Sequence, residues 1–148
     1  MEKRTLRLER TFNAPRKLVW EAWSQPEHIA SWWGPEGMET KVETHDFKPG
    51  GHWKYTMKMP NGKDFNTFGI FSEIVEYEKI VTSGEFPPMT TNVVLTATFE
   101  DDGDKTKFTF SVLHVSEEYC NQQRDMGGMK GWGSTFDRLG AAAEAMRS

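Results

Sequence analysis

The chain has 148 residues, 36% of them hydrophobic, with 18 basic against 22 acidic side chains for a formal charge of −4. This suits one domain with its own core and excludes disorder, while the lack of a basic surplus argues against nucleic-acid binding. A lone cysteine, Cys120, leaves no intramolecular disulfide and fits a reducing compartment. Without a leading apolar stretch or a bilayer-length segment, the expectation is a cytoplasmic chain with no membrane insertion.

Thr5 to Phe12 alternates as a half-buried strand, with Leu6, Leu8 and Phe12 on one face and Arg10 near the end of that face. An arginine there must reach solvent or find a carboxylate. Ala14-Pro15 predicts a helix with proline at its first position, bearing Val19, Ala22 and Trp23 on one face. A second start at Pro26 puts Ile29, Trp32 and Trp33 at helical spacing before Gly34-Pro35. From Met38 to His114 the period is two. Met38 to Phe47 reads as a weak strand, and His52 to Met59 as the clearest one, with Trp53, Tyr55, Met57 and Met59 on one face. Beyond the Asn61-Gly62 turn, Phe65 to Tyr77 and Lys79 to Phe86 continue the meander as far as a Pro87-Pro88 loop. Val93 to Phe99 and Phe108 to Val112 follow, separated by the Asp101–Asp104 turn, and His114 continues the apolar face of the last strand. Ser116 is a helix cap ahead of two glutamates. Met129, Trp132, Phe136, Leu139, Ala143 and Met146 then form one stripe of a long amphipathic helix. Glycines near 126–128 mark a kink or break, and Gly133 and Gly140 lie beside the stripe where they let the helix approach the sheet.

This order is α+β: a strand, two helices, six further antiparallel strands and a long helix, all in a single domain over residues 1–148. Six tryptophans, ten phenylalanines, three tyrosines and eight methionines exceed what a small core needs, which points to an irregular or hollow interior between sheet and helix. Nucleophile-elbow, phosphate-loop and zinc motifs are all missing, and Cys120 reads as an inert thiol. The four histidines are scattered, with no metal spacing. His28 and His52 read as solvent-facing, whereas His114 either meets a ligand or is a hydrogen-bonded core histidine.

Several runs resemble the START-like (SRPBCC) superfamily, in the branch named for the C-terminal domain of the activator of Hsp90 ATPase. They are Arg10 to Trp23, Pro26-Glu27, Trp32 to Pro35, Asp46 to Trp53, Asn61-Gly62, Glu73-Ile74 and Gly131-Trp132 with Phe136 and Leu139. Lys48 stands where that pattern commonly has arginine. The resemblance implies a helix-grip fold, a curved seven-stranded antiparallel sheet around a long C-terminal helix with an internal apolar cavity. It spans relatives of several activities, and with no cofactor motif in the residues no cofactor is expected. The first expectation is a binder of a small hydrophobic or aromatic molecule. Its walls would be Trp33, Trp53, Tyr55, Met57, Phe68, Ile70, Phe110, His114, Met129, Trp132 and Phe136, with Tyr55, His114 and Arg10 as polar handles. The alternatives are a cavity enzyme such as a cyclase or hydrolase, using Asp46, Glu73 or His114, and a chaperone-associated module. A homodimer stays open as a further partnership.

Overall fold

The computed structural model describes residues 5–34, 39–59, 61–86, 90–125 and 128–146, with backbone alone at 90, 91 and 128–130. Seven strands form one antiparallel sheet: β1 (Thr5–Phe12), β2 (Glu39–His45), β3 (His52–Lys58), β4 (Asp64–Val75), β5 (Lys79–Phe86), β6 (Thr90–Asp102) and β7 (Lys105–Leu113). Their order is β1-β7-β6-β5-β4-β3-β2, a meander whose last strand returns to pair with the first. Helices α1 (Arg16–Ser24) and α2 (Pro26–Trp32) fill the connection from β1 to β2; α3 (Glu117–Asp125) and α4 (Gly128–Ala145) follow the sheet. This is the expected α+β arrangement.

Local chemistry accounts for most boundaries. Pro15 sits one position earlier than predicted, as the N-cap of α1 with extended backbone, while Pro26 occupies the first turn of α2 as expected. Trp33 leaves the helical region and caps α2. The Ser116 hydroxyl accepts the backbone N–H of Tyr119 at 3.2 Å, the predicted N-cap bond. Tyr77, expected inside a strand, lies instead in the β4–β5 turn with φ 66°. The predicted break in the last helical segment corresponds to separate elements α3 and α4. The Pro87-Pro88 loop lies outside the described residues.

Helix α4 packs against α1, α2 and β1 with the predicted stripe inward: Phe136, Leu139 and Ala143 are fully buried. Two glycines set how close it comes. A Cβ on Gly140 would lie 2.7 Å from the Phe12 ring, and one on Gly133 would lie 2.7 Å from the Arg10 guanidinium. Arg10 itself finds its carboxylate, donating from Nε to Asp137 at 2.9 Å. On the next residue, Arg138 donates to the carbonyls of Gly34 (2.7 Å), just beyond α2, and of Ser31 (3.1 Å), in its last turn. Neighbouring side chains thus tie α4 to β1 and to α2.

Candidate ligand-binding site

The inner face of β3 is built as the alternation predicts: Trp53, Tyr55 and Met57 are buried. Directly opposite them on β4 stand Gly69, Thr67 and Phe65. Cross-strand partners share a face, so large rings on one strand meet small residues on the next. Gly69 is required there. A Cβ on it would lie 2.1 Å from the Ser83 carbonyl oxygen and 2.8 Å from Trp53 Nε1. Thr67 does other work, since its hydroxyl accepts the Trp33 indole N–H at 3.3 Å and donates to the Tyr55 carbonyl at 2.9 Å. On β5, Thr82 accepts the Trp53 indole N–H at 2.7 Å.

Above this face the rings form one continuous cluster. Phe136 packs on Phe110 (centroids 4.5 Å apart), Phe108 (4.8 Å), Trp23 (5.9 Å) and Trp132 (5.9 Å). Trp132, one turn nearer the start of α4, touches Phe110 at 4.8 Å, Phe86 at 5.5 Å and Trp33 at 6.1 Å. Unlike its buried neighbours it is half-buried, so the cluster reaches the surface along this ring. Offset and edge-to-face pairs at these distances add to what burial of the rings already contributes.

Seven of the predicted wall residues therefore meet in this region: Trp33, Trp53, Tyr55, Met57, Phe110, Trp132 and Phe136. His114 is buried on the same sheet face at the end of β7, as expected, and has an interaction of its own. The Met129 side chain lies outside the described residues. Phe68 and Ile70 are corrections. They lie on the outer face, 39% and 44% exposed, opposite Lys54 and His52. The cause is the unbroken register with β3, which turns Thr67, Gly69 and Phe71 inward and so puts the alternate residues Phe68 and Ile70 outside. Phe86, Thr67 and Thr82 belong to the site and were not predicted; the pairing of β4 with β3 is the signal that would have found Thr67.

A second unpredicted feature is His45. Its Nδ1 accepts from the Tyr55 hydroxyl and its Nε2–H donates to the Ser24 carbonyl at 3.0 Å, which fixes the neutral tautomer. Burial lowers the His45 pKa from its ordinary value and raises that of the Tyr55 phenol well above its own. The carboxylates suggested for catalysis point elsewhere: Asp46 lies 3.7 Å from Lys48 and Glu73 3.5 Å from Lys79, in exposed ion pairs. Among the described residues no cluster of histidine, cysteine and carboxylate side chains could hold a metal, and no helix is long and apolar enough to cross a membrane. A surface groove of about 470 Å³ between α2 and the end of α4 is lined by His28, Ser31, Arg138 and alanines, and contains none of the predicted wall residues.

The family model for activator of Hsp90 ATPase homolog 1-like proteins matches residues 13–144. No curated protein matches the sequence. Solved structures share the fold along nearly the whole chain. A protein from Arthrobacter aurescens is 23% identical with a TM-score of 0.90, over 97% of this chain and 87% of its own. A protein from Mycobacterium smegmatis is 24% identical with a TM-score of 0.87, over 98% and 94%. The AHSA1 protein from Silicibacter pomeroyi is 18% identical with a TM-score of 0.78, over 97% and 99%.

Proposed function

This chain belongs to the activator of Hsp90 ATPase homolog 1-like family, and from that premise we propose that it binds a small hydrophobic or aromatic molecule between its sheet and α4. The observation that carries this reading is the ring cluster that comes to the surface at half-buried Trp132, flanked by Phe86, Phe110 and Trp33. A flat ligand entering there replaces ring–ring contacts with equivalent ones and keeps the apolar face dry. The reading places the protein in the cytoplasm, in keeping with its single, buried cysteine. It assigns no chemical step to the site, because Asp46 and Glu73 stand in solvent-facing ion pairs.

Titration with the neutral probe N-phenyl-1-naphthylamine tests the proposal. Tryptophan emission should fall as probe emission rises, and both should saturate. Native mass spectrometry of the purified protein should show a bound species that organic solvent strips. A linear, unsaturable response with no co-purifying molecule would overturn the reading.

A further inference from the structure

We propose that this site selects an uncharged ring hydrocarbon without hydrogen-bonding substituents, because the buried side-chain polar atoms around it are already committed to partners within the protein. The inference rests on the binding reading above and narrows it to a ligand class.

The commitments can be followed atom by atom. The indole N–H groups of Trp33 and Trp53 are taken by Thr67 and Thr82. Those two hydroxyls spend their own protons on backbone carbonyls, Thr67 on Tyr55 at 2.9 Å and Thr82 between Ser83 at 2.8 Å and Ile70 at 3.0 Å. The Tyr55 hydroxyl donates to His45, whose other nitrogen donates to Ser24. Among the described residues no buried side-chain nitrogen or oxygen lacks a partner. Arg10, the nearest cation expected from the sequence to orient a ligand, is held at the surface by Asp137 and the Glu9 carbonyl.

A polar group brought into such surroundings loses its water and gains nothing. Rings, by contrast, find faces and edges on every side. The site therefore discriminates by refusal, through the desolvation that a hydroxyl or carboxylate suffers without a bond in return. This reverses the expectation that Tyr55 or Arg10 serves as a polar handle.

The test uses three ligands of one shape: 2,6-dimethylnaphthalene, 2,6-dihydroxynaphthalene and naphthalene-2,6-dicarboxylate. Substituents at both ends ensure that one lies inside whichever end enters. Equilibrium dialysis against the intact protein should rank them in that order, with the diol at least tenfold weaker than the dimethyl compound, as expected for one unpaired buried hydroxyl. The dicarboxylate should show no binding at a hundred times the dissociation constant of the dimethyl compound. Equal or tighter binding of the diol or the dicarboxylate overturns the selectivity while leaving the binding function standing. Failure of all three, together with the naphthylamine probe, overturns the binding function itself.

Discussion

Strands β3 and β4 lie side by side in the same sheet, yet over Thr67 to Ile70 hydrophobicity reports the inner face of β4 in the opposite way from that of β3. On β3 the apolar residues Trp53, Tyr55 and Met57 face the core and the polar ones face out. On β4 the glycine and threonine face in, while Phe68 and Ile70 face out. The two are complementary. The Trp53 indole needs a neighbour with no side chain beneath it, which Gly69 of β4 supplies, while its N–H takes the Thr82 hydroxyl of β5 and Thr67 of β4 takes the Trp33 N–H. Burial of a residue is thus decided by what its cross-strand partner requires as much as by its own hydropathy.

That comparison can be broken at several points. The largest effect should come from the rings both strands support: Phe136→Ala should destabilise the fold by roughly 3–5 kcal/mol, read from the denaturant midpoint. Gly69→Ala should follow at about 1–3 kcal/mol, because its methyl group meets the Ser83 carbonyl and the Trp53 indole. Chemical unfolding of this variant as stable as wild type would mean that β3 and β4 are not packed as described. Thr67→Val keeps volume but strands the Trp33 N–H, and should cost about 1–2 kcal/mol.

A smaller, pH-dependent effect belongs to His45. Its folded-state pKa is depressed by burial, so its contribution to stability is complete above the unfolded value near 6.5. As pH falls through that value the unfolded chain takes up a proton that the folded one resists, and stability declines until the lower folded value is passed. Thermal melts should show wild type losing more than His45→Gln as pH drops below about 6.5. The smallest effect should be on the outer face: Phe68→Ser should change stability by no more than about 0.5 kcal/mol. A loss like that of Phe136→Ala would show that Phe68 is covered in solution.

The sequence shows some parts of this molecule plainly and conceals others for physical reasons. The α4 stripe, the β3 alternation, the Ser116 cap and the demand of Arg10 for a carboxylate all depend on residues close in sequence or on a single unmet charge. They are legible for that reason. The inward turn of Thr67 and Gly69 depends on strand pairing with β3, which leaves no mark on local composition. His45 was invisible as a site residue because its two partners, Ser24 and Tyr55, are brought to it by different elements. Histidine spacing carries no trace of such a bond.

The pairing of β1 with β7 also sets a timetable for synthesis. Phe12 must wait for Thr106, and the tryptophans of α1 and α2 must wait for α4, before the apolar surface they carry is covered. At ~5–20 residues per second the ribosome takes on the order of ten seconds to deliver those partners. Throughout that interval the emerging chain displays Trp20, Trp23, Trp32 and Trp33 with no finished sheet to receive them. The aromatic wealth that makes the finished interior cohesive is, during translation, uncovered apolar surface.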